Sequence, residues 1–210
     1  MGGGSATDRA YEWLRDRIVM GDLPVGSFVE EATVCDATGV SRTPVREAMH
    51  RLAGERILQL VPRRGAQVRG ISAREVLEAY DARWLIESTA VKSVISQGTD
   101  LGGRMEQHLA EMAAVVDEAI HDGSPSARAA YSAADQAFHR TYVSAYGNTL
   151  LTDFYDRLWP LHTWMSVQTS LAAHAEQIHA QHKAILDAVI GRDEKAALHT
   201  LRQHLRPFAQ

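Results

Sequence analysis

Apolar and polar residues follow two different rhythms along the chain, and the change comes near residue 70. Over 7–20, Ala10, Tyr11, Leu14 and Ile18 recur at the three- and four-residue spacing of a helix face. Gly21 followed by Pro24 predicts the end of that helix. Short helices are predicted over 30–37 and 44–53, the second burying Val45, Ala48, Met49 and Leu52. The runs 57–61 and 66–69 read as strands separated by the turn residues Pro62-Arg63-Arg64-Gly65. Past Ile71 the strand signal disappears. Helices are predicted over 72–96, 104–121, 126–146, 149–172, 174–190 and 193–208, with breaks at Gly98, Gly102-Gly103, Gly123-Ser124-Pro125, Gly147-Asn148 and Gly191. Pro160 is expected to kink or split its segment.

This rhythm predicts two domains, 1–70 and 71–210. In the first, Gly39 supplies a tight turn between two short helices, Val40 plugs the corner, and Val34 and Cys35 face the second helix. Thr43 is expected to cap that helix with Pro44 at its first position. Glu47 and Arg51, four apart, are expected to form a helical ion pair. The expected fold is mainly α: an N-terminal winged helix-turn-helix of three helices plus a β-hairpin, then an all-α antiparallel helical bundle.

Charge sharpens the picture for the first domain. The formal net charge of −4 argues against a polyanionic partner for the chain as a whole, yet 42–69 carries seven arginines against Glu47 and Glu55. A second helix that enters the major groove needs its outward side basic near its start. Arg42, Thr43, Arg46 and His50 occupy that position, and Arg63, Arg64 and Gly65 lie at the tip of the hairpin. Arginine can bridge guanine O6 and N7 or clasp phosphates, and glycine lets backbone approach a sugar-phosphate chain. A solvated arginine face is the bland alternative; the hairpin directly after the helix favours DNA.

Histidines crowd the second domain: nine of ten follow residue 71. On the first long helix Val76, Tyr80, Arg83, Glu87, Ala90 and Val94 share a face, so Arg83 and Glu87 point inward. Either they form a structural pair, or Arg83 faces a cavity and grips an anionic ligand. Asp135 and His139 stand one turn apart, and His182 and His204 fall on the apolar stripes of two further helices. One carboxylate and three imidazoles suit zinc, nickel or a similar borderline ion with a position left for a ligand carboxylate. His174, His179 and His199 lie off the inward stripes, and His108, His121 and His162 lack partners in the pattern.

The remaining composition narrows the class. One cysteine, no apolar run near the roughly 20 residues of a membrane span, and a glycine-rich start without a secretory pattern together predict a cytoplasmic protein with no membrane partner.

Val40-Ser41-Arg42-Thr43-Pro44-Val45-Arg46-Glu47-Ala48 resembles the core signature of GntR-family regulators. The segments 11–18, 21–24 and 62–68 resemble that family's opening helix, following loop and wing. Glu30-Glu31-Ala32-Thr33-Val34-Cys35 departs from the family's second helix, as does Pro24-Val25-Gly26 from its proline-proline-glycine. Asp81-Ala82-Arg83-Trp84-Leu85-Ile86-Glu87, Asp135-Gln136-Ala137-Phe138-His139, Gly147-Asn148, His182-Lys183-Ala184-Ile185 and His204-Leu205 are similar to the FCD ligand-binding domain of the FadR-type branch. The resemblance implies a homodimer on a near-palindromic double-stranded DNA operator, with Arg42, Arg46 and Gly65 touching DNA. It implies a divalent metal on Asp135, His139, His182 and His204 and a small organic-acid effector near Arg83, with Asn148 serving either the pocket or a helix turn. Two other functions fit part of the pattern: a sensor for which the ion is the signal, and a metal-dependent hydrolase. No general base or nucleophile stands on a recognisable motif, so no enzyme activity is expected.

Overall fold

The computed structural model describes residues 4–19, 21–70, 72–122, 125–168 and 175–205. The chain forms two compact units, Met1–Ser72 together with Thr163–Val167, and Ala73–His162 together with Gln168–Gln210.

The first unit runs α1 (Ala6–Val19), β1 (Phe28–Val29), α2 (Glu31–Thr38), α3 (Arg42–Gly54), β2 (Leu58–Val61) and β3 (Gly65–Val68). The apolar stripes converge as their spacing requires: Leu14, Ile18, Val34, Val45, Ala48, Leu52, Ile57 and Ala66 are all inaccessible to solvent. Gly39 ends α2 in the left-handed region, φ 67°, and its N–H closes onto the Cys35 carbonyl. The hairpin is part of a three-stranded antiparallel sheet in the order β1-β3-β2. The pattern missed β1 because two residues are too few to show an alternation. The start of α3 also differs from expectation. Ser41, not Thr43, is its N-cap residue, and the Val45 N–H reaches the Ser41 carbonyl at 3.3 Å. Pro44 then sits in the first turn, where its missing N–H leaves no helical bond unmade.

The second unit is helical: α4 (Ala73–Gln97), α5 (Gly102–Asp117), α6 (Pro125–Ala145), α7 (Thr149–Gln168), α8 (Ala175–Ile190) and α9 (Glu194–His204). A π-helical turn, Glu118–Asp122, extends α5. Pairs of helices bury one another's stripes, α5 on α6, α8 on α9 and α4 on α6. Helix α7 is not split at Pro160; a mid-helix proline deletes one hydrogen bond, and the rest of the ladder carries the helix through. The expected stretches beyond Gln168 and beyond Leu205, and Met20, lie outside the described residues.

Gly65 has a reason internal to the fold. Its φ is +85°, and a Cβ there would collide with the Val29 carbonyl of β1. Gly65→Ala is therefore expected to destabilise the first unit by about 1–3 kcal/mol, read as a lower denaturation midpoint. An unchanged midpoint would mean that β1 does not press on the wing.

Candidate metal centre and nucleic-acid interface

Three helices of the second unit aim four donors at one point. Asp135 and His139 lie on α6, His182 on α8, and His204 is the last residue of α9. One ligand atom from each lies within 4.8 Å of all the others. His139 Nε2 is 3.0 Å from His182 Nε2 and 3.1 Å from His204 Nε2, and His182 Nε2 is 2.9 Å from Asp135 Oδ1. Nitrogens bound to one ion at about 2.1 Å lie roughly 3.0–3.4 Å apart at octahedral to tetrahedral angles, so this cluster fits a shared cation.

Protonation favours the same use. His139 Nδ1 is 2.9 Å from Glu87 Oε2 and also meets the Tyr142 hydroxyl. A proton held on Nδ1 by that carboxylate leaves the Nε2 lone pair for the cluster. Burial pushes His139 below the ordinary imidazole range, against the upward pull of Glu87. Burial, and then the neighbouring His182 and His139, push His204 well below it. Neutral imidazole is the form that ligates metal.

Helix α4 stands behind the cluster. Arg83 Nε donates to Glu87 Oε1 at 2.7 Å, and both side chains are essentially without exposure. Burial would raise the Glu87 carboxyl, but the Arg83 guanidinium, then His139, hold it down to about 2. Tyr142 donates its hydroxyl proton to Glu87 Oε2. The Arg83 guanidinium lies 5.0 Å from the centre of the Trp159 ring, and its Nη1 and Nη2 have no hydrogen-bond partner among the described residues. The structural pair therefore exists, but it uses one of the three guanidinium nitrogens. Two buried cationic donors left unmet are costly, and an anion is their chemical complement.

The other candidates separate cleanly. Asn148 is exposed, and its side-chain oxygen accepts from the Leu151 N–H at 3.1 Å, so it caps α7 and serves the helix turn. His108 pairs with Glu111 at 2.9 Å, while His179 and His199 are exposed. The side chains of His121, His162 and His174 lie outside the described residues. The partnership of Glu87 with His139 was absent from the sequence reading. The inward stripe of α4 placed Glu87 inside, but nothing local pointed to a partner 52 residues away.

In the first unit Arg42, Arg46 and His50 of α3 line a groove of about 690 Å³ with Arg63, Arg64 and Gly65 of the wing. Thr43 is exposed beside them. Glu30 and Glu31 also line it, and Arg46 Nε donates to Glu31 Oε1 at 2.6 Å, a contact the sequence reading missed. Arg64 stacks over Phe28 with 4.1 Å to the ring centre. The expected Glu47–Arg51 pair is replaced. Arg51 turns to Asp8 at 3.3 Å and Glu55 at 3.5 Å and covers the Tyr11 ring, while Glu47 accepts from the Thr7 hydroxyl. Packing α1 against α3 brings Asp8 to Arg51 and Thr7 to Glu47, and Arg51 also pairs one turn forward with Glu55 instead of back with Glu47. No helix among the described residues is long and apolar enough to cross a membrane.

The electrostatics of Glu87 generate a pH prediction. Its folded pKa lies below the ordinary 4.5, so its stabilisation is complete above about pH 4.5 and is lost as pH falls toward 2. Glu87→Gln is expected to cost about 3–5 kcal/mol at pH 7, because Arg83 loses its countercharge. In urea titrations the gap between variant and wild type should narrow across that acid window; parallel curves would contradict the assignment.

Comparison with known proteins agrees with both halves. Residues 6–68 match the model of the bacterial regulatory proteins of the gntR family, and residues 78–207 match the FCD domain. The chain is 27% identical over 201 residues to the HTH-type transcriptional repressor GlaR of Escherichia coli (strain K12), covering 93% of this chain and 90% of that one. It is 28% identical over 201 residues to the gluconate operon transcriptional repressor of Bacillus subtilis (strain 168), covering 93% and 79%. In fold it is similar to a GntR transcriptional regulator from Rhodococcus sp. RHA1, with a TM-score of 0.78 at 24% identity over 97% of this chain and 95% of that one. The chain belongs to the GntR family of bacterial regulatory proteins, as a DNA-binding transcriptional regulator whose C-terminal half is an FCD domain.

Proposed function

We propose that this regulator binds a near-palindromic operator as a homodimer, and that a small carboxylate effector held beside a divalent metal ion in residues 71–210 controls its affinity for DNA. The observation that carries the reading is the convergence of Asp135, His139, His182 and His204, with Arg83 Nη1 and Nη2, unmet among the described residues, on the same buried network. In this reading the four side chains hold zinc or nickel, and the bound ion supplies a Lewis-acid site for a carboxylate oxygen. Arg83 supplies the second anchor through its fork of N–H donors. Glu87 keeps the His139 ring turned with Nε2 toward the ion. Residues 1–70 read the operator through Arg42, Thr43, Arg46, His50, Arg63 and Arg64, with Gly65 shaping the wing that carries the last two. The names of GlaR and the gluconate operon repressor describe transcriptional repressors, which supports control of operator affinity as the output. Effector and DNA then share a coupling free energy, so each changes the other's affinity by the same factor.

Metal analysis and a thermal-shift screen of small carboxylates, with and without added zinc or nickel, test the sensory half. The wild-type protein is expected to retain about one ion per chain through dialysis and to be stabilised by a carboxylate only when metal-loaded, since a ligand of the folded state raises its stability by mass action. His139→Ala should lose both responses, and Arg83→Lys should keep the ion while weakening the carboxylate response. Reversible loss of the ion with an equal change in DNA affinity, and no carboxylate response, would instead make the ion itself the signal.

Gel-shift titration tests the DNA-reading half. Arg46→Ala is expected to weaken binding to the selected operator by about tenfold or more, and log K should fall by roughly 0.9 per phosphate contact against log salt. Wild-type affinity in that variant would remove α3 from the interface.

A further inference from the structure

The start of α2 brings two acids into a groove otherwise lined by cations. Glu30 and Glu31 face the same space as Arg42, Arg46, Arg63 and Arg64. A surface meant only to attract phosphates gains nothing from them, because each carboxylate lowers the local potential. Acids at a helix N-terminus do stabilise the helix, which accounts for their position on α2 but not for the direction of the contact with α3.

That contact is specific. Glu31 Oε1 accepts a hydrogen bond from the Nε–H of Arg46 at 2.6 Å, and among the described residues nothing accepts from the Arg46 terminal nitrogens. The Arg46 side chain is 60% exposed while Glu31 is only 24% exposed, so the acid is the better-packed member and the guanidinium reaches outward from it. Among the described residues neither Arg42 nor Arg63 makes a salt bridge, although the Arg42 charge also acts on Glu31, more weakly than Arg46, and Arg64 rests on Phe28. Arg46 is thus the one groove arginine pinned by a carboxylate, among the described residues.

The geometry of that pin has a chemical consequence. A carboxylate on Nε leaves Nη1 and Nη2 as two donors, the pair that a guanine edge meets with O6 and N7. The neighbouring negative charge cancels much of the arginine's attraction for a phosphate, which depends on charge, while leaving directional hydrogen bonding in place. Holding the long side chain in one rotamer also reduces what it loses on docking. The Arg46 hydrogen bond holds the Glu31 carboxyl below its ordinary range, so the acid stays charged at neutral pH.

We propose that Glu31 is a positioning residue that commits Arg46 to reading a guanine edge in the major groove instead of clasping a phosphate. This rests on the reading above that Arg46 enters DNA. Arg42 and Arg63 are then the phosphate cations, and Glu31 subtracts from general affinity while adding base discrimination.

The test is selection of full-length protein on a random-sequence duplex library, comparing wild type, Glu31→Ala, Glu31→Gln and Arg46→Gln, alongside salt titrations on a mixed-sequence duplex. Wild type should enrich a guanine at one column of each half-site. Glu31→Ala should lose about tenfold of the discrimination at that column, leave the other columns unchanged, and bind the mixed duplex more tightly with a salt slope steeper by about 0.9. Glu31→Gln keeps an acceptor without the charge, so it should share the steeper slope but keep part of the guanine preference; it also serves if the alanine variant folds poorly. Unchanged column weights in Glu31→Ala, with the column lost in Arg46→Gln, would overturn the role of Glu31 and leave Arg46 as a reader. Equal loss at every column would reduce Glu31 to holding α2 on α3, which also overturns it. A wild-type motif from Arg46→Gln would refute the underlying reading itself.

Discussion

The second unit is organised around one buried carboxylate. Glu87 receives Arg83 on one oxygen and His139 and Tyr142 on the other, with no access to water. A charge in that position is tolerable only because the guanidinium neutralises it and the hydrogen bonds occupy its lone pairs. The same contacts align α4 with α6 and set which nitrogen of His139 faces the cluster. Packing and the orientation of the donor cluster therefore depend on one group, and the Arg83–Glu87 pair is both structural and connected to Asp135, His139, His182 and His204.

Under the proposed function, this arrangement would couple the ion to the anion without a separate device. Arg83 touches Glu87 through Nε, and its two terminal nitrogens have no hydrogen-bond partner among the described residues. Any anion that drew on those nitrogens would alter the charge felt by Glu87 and, through it, the basicity of His139. The coupling runs through hydrogen-bonded neighbours within a single packed core, where low polarisability makes such effects large.

The first unit solves a different problem, that of displaying cations on a small fold. Its core is filled by apolar side chains of α1, α2, α3 and the sheet, so its arginines are left to the surface. They do not all play one part there. Arg51 braces α3 against α1, Arg64 leans on Phe28, and Arg46 is held by Glu31, whereas Arg42 and Arg63 line the groove without a salt bridge among the described residues. A count of positive residues over 42–69 treats these as equal; their partners make them different.

Periodicity and composition determined the class of fold and the four donors that meet, because each follows from local spacing. Asp135 and His139 share a turn, and His182 and His204 fall on apolar stripes, so their inward direction was legible before any coordinates. The buried stripe of α3 and the hairpin after it were legible for the same reason. Contacts between residues distant in the chain were not: His139 with Glu87, Arg46 with Glu31, Arg51 with Asp8, and β1 against β3. Only the tertiary structure decided these, because hydrophobic spacing fixes which side of an element is buried but not which neighbouring element's polar group will lie against it.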